Sequence, residues 1–272
     1  MKRKKIIGNI FIYTFLTIAF VVSVFPFYWM LTGMTNSSMQ IITGKMTFGN
    51  EFFNNVKALF DLYDVKLIFL NSVKISVITV VLSLIVTSMA AYGFEIYQSK
   101  AREMTYSIII LAMMVPFAAL MIPLFKLVVS LQMLNTHTGL IITGIASIFL
   151  IFFFRQNFKS FPKEIIQAAR VDGAGEFKIF FSIVMPSMKS TYAAAAIFAF
   201  MTSWNSYLWP LIILMTDDKK TMQQLLSVLS TSYTPQYGSI MVAIVITTLP
   251  MVLIFFALQK HFVQGMTGSV KG

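Results

Sequence analysis

Side chains able to do chemistry are sparse in this sequence, and those that recur are hydroxyls and amides. Ser72, Ser76, Thr79, Ser83 and Thr87 repeat at helical spacing inside one apolar run, which puts them on one helix face. Such a row either lets helices pack closely or lines a polar pathway between them. Farther along, Trp204-Asn205-Ser206-Tyr207 sets an amide and a hydroxyl among aromatic rings. Rings stack on the apolar faces of sugars and amides bond sugar hydroxyls, so this cluster suits a carbohydrate. Trp204, Tyr207 and Trp209 equally suit an aromatic belt at a membrane surface. The candidate pathway residues are Ser76, Thr79, Ser83, Trp204, Asn205 and Tyr207.

Enzymatic chemistry finds no foothold. The sequence has no H-E-x-x-H, G-x-S-x-G or G-x-x-x-x-G-K-[ST] pattern, so the usual zinc, serine-hydrolase and phosphate-loop arrangements are missing. Cysteine is absent, which excludes disulfides, thiolate metal sites and cysteine nucleophiles. His137 and His261 are expected at opposite membrane faces, where they cannot share a metal. We expect no catalytic residue, metal or cofactor on this chain. Ion-driven transport would call for ionisable groups at membrane depth. Lys74 and Lys126 lie near the ends of apolar runs and can snorkel, and the acids, including Glu95, fall in loops or at run edges.

The elements that position these residues are membrane helices. Of 272 residues, 57% are hydrophobic and 11% charged, against about 25% charged in soluble domains; the mean hydropathy is +0.79. The net charge of +11 comes from basic residues interleaved with apolar runs, a topology signal rather than a nucleic-acid surface. Six runs reach the roughly 20 residues needed to span hydrocarbon: 6–32, 67–94, 105–130, 138–158, 191–215 and 237–262. None alternates with a period of two, so helices rather than barrel strands are expected. The basic start, Lys2-Arg3-Lys4-Lys5, precedes a run too long for a signal-peptide core, so the first span is expected to be retained. Lys and Arg concentrate on the side carrying both termini, Lys100, Arg102, Arg155 and Arg170, which predicts that both ends are cytoplasmic. The expected division is a basic segment and first span (1–32), an extracytoplasmic loop (33–66), a five-helix core (67–262) and a cytoplasmic tail (263–272).

Two connections are long. In the outer one, Phe52, Phe53, Val56, Leu59 and Phe60 share a helical face, predicting a short helix on the protein or bilayer surface, or a contact for an external partner. In the inner one, 159–190, Pro162 and Glu164 mark a helix start, Asp172-Gly173 a break after Val171, and Pro186 the limit of a second helix.

That inner loop reads Phe161-Pro162-Lys163-Glu164-Ile165-Ile166-Gln167-Ala168-Ala169-Arg170-Val171-Asp172-Gly173-Ala174, then Phe177, Phe180, Ile183 and Pro186. It resembles the E-A-A…D-G-A…I…P coupling motif of ABC importer permeases. Asn71-Ser72, Ala90-Ala91-Tyr92, Leu134-Asn135-Thr136, Gly139-Leu140-Ile141, Trp204-Asn205, Pro210-Leu211 and the ending from Gln259 through Gly265 to Gly268-Ser269-Val270-Lys271-Gly272 resemble the carbohydrate-uptake branch, on the side of the second maltose permease subunit. The resemblance implies an all-α polytopic membrane protein with six transmembrane helices and the type I ABC importer permease fold. It implies half of the pathway of a sugar importer, with an oligosaccharide as the expected substrate, in a bacterial cell membrane. Implied partners are a second homologous permease subunit (a heterodimer), a cytoplasmic ATPase dimer carrying the ATP and Mg, an extracytoplasmic sugar-binding protein and membrane lipid, with no nucleic acid. Glu164, Gln167, Ala168, Ala169, Asp172, Gly173 and Ala174 would form the surface seated in the ATPase, with Asp172 capping the turn. The motif's usual glutamate is Gln167 here, and Glu164 one turn earlier is its expected substitute. The alternative is a secondary sugar transporter acting without an ATPase.

Overall fold

The computed structural model describes residues 2–267, with side chains from 8 to 259. The last residues of the tail, Gly268–Gly272, and the side chains of Lys2, Arg3, Lys4, Lys5 and His261 lie outside the described residues. All regular elements among the described residues are helical. In chain order the principal ones are α1 (Lys2–Gly33), α2 (Ser38–Ile42), α3 (Phe52–Leu62), α4 (Val65–Ile96), α5 (Lys100–Leu111), α6 (Phe117–Ser130), α7 (His137–Gly144) and α8 (Ile148–Phe158). They are followed by α9 (Lys163–Val171), α10 (Glu176–Ile179), α11 (Met185–Ser187), α12 (Lys189–Trp204), α13 (Leu208–Ile213), α14 (Met222–Ser230) and α15 (Tyr237–Thr267).

Among the described residues, four segments are long and apolar enough to cross a bilayer: Gly8–Gly33, Val65–Ile96, His137–Phe158 and Tyr237–Gln259. Two further pairs reach the same standard only together, across sharp bends: Lys100–Met114 with Phe117–Ser130 at 107°, and Glu176–Ser187 with Lys189–Trp204 at 85°. The number of spans is therefore four, or up to six if each bent pair is taken as one; the second pair includes Glu176–Ser187, which falls within the expected inner loop.

Three spans expected to be continuous are interrupted. The third breaks at Val115-Pro116, because proline lacks the N–H that would extend the helix and its ring crowds the preceding turn. The fourth breaks between Gly144 and Ile148, where Ser147 takes the N-cap and accepts a bond from the Leu150 amide at 3.4 Å. The fifth, expected over 191–215, ends at Trp204 and restarts as α13 after Asn205, Ser206 and Tyr207. Pro210 would meet the carbonyl of Ser206 in an unbroken helix.

The chain divides into two compact units, Met1–Val65 with Leu225–Leu249, and Lys66–Gln224 with Pro250–Gly272. In the first, a capping box formed by Ser37 and Gln40 starts α2. Asn55 of α3 donates from Nδ2 to the carbonyls of Met34 and Asn36, each at 3.0 Å, and its own carbonyl accepts from Ser239 at 3.1 Å. Of the expected apolar face on α3, Leu59 is fully buried while Phe53 and Phe60 are exposed. A Cβ on Gly238 would lie 2.3 Å from Asn55 Oδ1, so this glycine is required by close approach.

In the second unit α4 is arranged with its polar stripe inward. Ser72, Ser76, Thr79, Ser83, Thr87 and Ser88 are buried, while Leu70, Val77, Val81, Leu82 and Val86 are exposed. That inversion of the soluble pattern suits a helix facing lipid on one side and protein on the other. One end of α4 is pinned by Asn71, which donates to the carbonyls of Asp218 (2.8 Å) and Lys220 (3.2 Å), and by Ser72, which accepts from the Met222 amide at 2.8 Å. The other end enters a core of Ala91, Tyr92, Phe154, Phe158, Ile166, Ile179, Phe180 and Tyr192.

Beside this core lies an ion cluster. Arg155, near the end of α8, bonds Glu95 of α4 at 3.4 Å and also bonds Glu103 of α5. Its guanidinium sits 4.0 Å over the Tyr106 ring, and Lys163 at the start of α9 reaches Glu95 at 3.4 Å. The Arg155 and Glu95 side chains are only 6% and 4% exposed. Four helices therefore share one charge cluster, with Arg155 and Glu95 at its buried centre and Glu103 and Lys163 at its exposed edge.

Removing one member of a buried pair costs about 3–5 kcal/mol when its partner is left wholly uncompensated, and less here because Lys163 still reaches Glu95. Arg155→Met should lower the unfolding free energy of the detergent-solubilised chain by about 1–3 kcal/mol, and adding Glu95→Gln should recover part of the loss. Equal melting temperatures for wild type and Arg155→Met would contradict this. Gly238→Ala should destabilise by about 1–3 kcal/mol through overpacking against Asn55, checked by the same melts.

Candidate functional site

The inner loop is built around α9. Pro162 stands at its N-cap, Glu164 lies in its first turn and Arg170 in its last, the charge order that the helix dipole favours. The helix is two-sided. Ile166 and Ala169 are buried against the core, while Glu164, Gln167 and Ala168 are exposed. It ends through main-chain bonds: the amides of Asp172, Gly173 and Ala174 donate to the carbonyls of Ala168, Arg170 and Ala169, each at 3.0 Å. Gly173 adopts φ +78, the left-handed conformation that glycine takes without steric cost. The Asp172 side chain is exposed, and the main-chain bonds of Gly173 and Ala174 close the turn.

The second half of the loop departs from expectation at Pro186. The helical backbone does not stop before this proline but runs from Glu176 through Ser187. A π-helical turn over Phe180–Val184 precedes it, and the Met185 amide donates to the Phe180 carbonyl five residues back. This wider turn makes room for a proline ring that would crowd a regular α-turn. The chain then bends at Met188, at φ −107 and ψ 33.

Arg170 and Glu176 clamp the two halves together at 2.6 Å, and the Tyr92 hydroxyl donates to the other Glu176 oxygen at 3.2 Å. The Arg170 guanidinium stands 5.6 Å over the Tyr97 ring. Its bond to Glu176 raises the pKa of Arg170 further above its ordinary value, so it stays charged. With the Lys163–Glu95 contact, α4 is tied to both halves of the loop. Outward, Val171 and Phe177 are 88% and 70% exposed, a bare apolar pair beside the exposed residues of α9.

The pathway candidates separate into two groups. Thr79 and Ser83 line a cavity of about 270 Å³. Ser76 is buried but is not among the residues lining it. Trp204 is buried in packing, stacked on Phe200 at 5.4 Å and edge-on to Phe69 at 6.0 Å. Asn205 is exposed and accepts from Gln223 at 3.4 Å, while Tyr207 is half-buried and is not among the residues lining the cavity. Sequence reasoning missed Thr143, Ser147, Thr202 and Ser203, which also line it. It named Trp209 only as an aromatic, yet this residue joins the lining and donates to Thr143 at 2.8 Å. The Glu95–Arg155 pair was missed too, although an arginine following Phe152-Phe153-Phe154 calls for an acidic partner. No cluster of three or more His, Cys, Asp or Glu that could hold a metal occurs among the described residues.

Residues 83–268 match the family described as the binding-protein-dependent transport system inner membrane component. The lactose transport system permease protein LacG of Rhizobium radiobacter is 52% identical over 259 residues, covering 95% of each chain. The arabinooligosaccharides transport system permease protein AraQ of Bacillus subtilis is 40% identical over 205 residues, 75% of this chain and 73% of that one. The sn-glycerol-3-phosphate transport system permease protein UgpE of Yersinia pestis is 29% identical over 273 residues, 97% of each. Among solved structures, a bacterial ABC transporter involved in the import of the acidic polysaccharide alginate superposes with a TM-score of 0.83, covering 96% of this chain and 98% of that one at 23% identity, which establishes the fold. These matches leave the solitary secondary transporter without support. The chain is a multi-pass membrane protein of the binding-protein-dependent transport system inner membrane components, the permease subunits of ABC importers.

Proposed function

We propose that this chain forms half of the membrane pathway of an ATP-driven oligosaccharide importer, paired with a second, homologous permease subunit. A cytoplasmic ATPase dimer binds the ATP and Mg, and an extracytoplasmic sugar-binding protein delivers the substrate. The sugar assignment is supported by the relatives named for lactose and arabinooligosaccharide transport, which exceed the glycerol-phosphate relative in identity. A cytoplasmic position for both termini is supported by the Lys and Arg distribution.

The observation that carries this reading is the two-sided inner loop. One side of α9 is bonded into the core, while its other side, with Val171 and Phe177, is open. A loop merely connecting spans would gain nothing by leaving two large apolar side chains bare. Docking on an ATPase would bury them, at about 25 cal/mol per Å² of apolar surface removed from water. Glu164, Gln167, Ala168, Asp172 and Gly173 are further exposed groups of this loop; Ala169 and Ala174 pack behind it. Displacing the loop would move α4 through Lys163–Glu95 and Arg170–Glu176–Tyr92, so ATPase closure becomes a motion of the pathway wall. This chain contributes no step of hydrolysis.

The test is reconstitution of the chain with its partner permease, ATPase and binding protein in liposomes. ATP with binding protein should drive lactose or arabinooligosaccharide uptake and stimulate ATP hydrolysis. Gly173→Leu forces a side chain into a left-handed residue, a strain of about 1–2 kcal/mol, and should cut ATPase co-purification at least about tenfold while insertion persists. Uptake by the isolated chain on an ion gradient, or normal co-purification and uptake with Gly173→Leu, would overturn the reading.

A further inference from the structure

Three interrupted spans bring their breaks to one place. The cavity of about 270 Å³ is lined by Phe117, directly after the Pro116 break, by Gly144 and Ser147 at the two sides of the α7–α8 break, and by Ser206 and Trp209 around the α12–α13 break. Thr79 and Ser83, near the middle of the unbroken α4, line the same cavity. Unwound backbone at membrane depth is tolerated where it is buried in protein or lines a wet cavity, and discontinuous helices often form substrate sites in transporters.

The hydroxyls identify what the cavity takes. Serine and threonine within helices commonly bond the carbonyl one turn back. On α4, Ser72, Thr87 and Ser88 do so. Thr79 Oγ1 and Ser83 Oγ, in residues 7% and 1% exposed, have no hydrogen-bond partner. Leaving a buried hydroxyl unpaired costs stability unless a ligand or water meets it. The lining is also aromatic: Phe117 and Trp209 pack edge to face, with centroids 5.9 Å apart. A ring with an apolar C–H face and a hydroxyl rim matches both parts of this lining. The volume lies below the roughly 300–1,000 Å³ of drug-sized sites, which suits one sugar ring rather than a whole disaccharide. Gly144 lets α7 approach α4 closely at this lining, since a Cβ there would come within 3.1 Å of Thr79 Cγ2.

We infer that this subunit itself holds one pyranose unit of the passing sugar, with Thr79 and Ser83 bonding its hydroxyls and the Phe117–Trp209 wall taking its C–H face. The inference rests on the importer reading above and assigns the cavity a substrate class. It is tested in the reconstituted importer with lactose as probe. The double variant Thr79→Val, Ser83→Ala should lower lactose uptake about tenfold, as expected for two lost hydrogen bonds. ATPase stimulation by lactose-loaded binding protein should stay within about twofold, and melting should occur no lower than in wild type, because apolar replacements remove unpaired hydroxyls. The chain has no cysteine, so Ser203→Cys places a single thiol in it at the cavity wall. Lactose should slow its reaction with a small methanethiosulfonate, while mannitol at the same concentration should not. Unchanged uptake in the double variant, equal labelling with and without lactose, or parallel loss of uptake and ATPase stimulation would overturn the inference. Absence of ATP-driven uptake by the unaltered importer would overturn the importer reading and this inference together.

Discussion

A peptide group inside hydrocarbon finds a hydrogen bond in its own helix or in a neighbouring polar group. Much of this structure answers that constraint. Where a span is continuous, as in α4, serine and threonine bond back onto it and the outer face is free to be apolar. Where Pro116, Gly144 or Pro210 makes continuity costly, the broken ends are not left to lipid. Ser147 caps the restart of α8, accepting from the Leu150 amide; beyond the far end of α13, Asn135 accepts from the amides of Met215 (3.0 Å) and Thr216 (3.3 Å). The breaks then gather around one cavity whose walls can satisfy polar groups together.

The spans were legible because apolar length is a strong signal, and the start of α9 and its end at Gly173 because a proline, an acid and a glycine mark helix ends by local physics. The interruptions were less legible. Pro116 and Pro210 were visible, but a proline inside an apolar run can kink a helix or break it; Pro26, Pro123 and Pro250 lie within helices here. Tertiary surroundings decide between these outcomes, and periodicity does not report them. Pro186 shows the reverse, since the helix accommodates it by widening one turn.

The candidate site was legible in part for a related reason. The helical spacing from Ser72 to Thr87 placed the stripe on one face, and burial bears that out. Spacing along one helix cannot tell which hydroxyls bond their own backbone and which are buried without a partner, so Ser72 and Thr79 looked alike. Trp204 stood out by residue type yet serves packing, while Trp209, five residues on, reaches the cavity because the intervening break turns the chain. Arg155 and Glu95 lie 60 residues apart in sequence, and only folding reveals them as a pair.

The pinning of α4 at both ends has a mechanical meaning. Asn71 and Ser72 fasten one end to the segment 218–222, and Tyr92 and Glu95 fasten the other to the inner loop. Between Asn71 and Glu95 runs a proline-free helix of about 36 Å at 1.5 Å per residue. A rod of that length is a lever: pivoting it by about 10° sweeps its far end through about 6 Å. Small rotations imposed at one membrane face are thereby magnified at the other, without any helix having to bend.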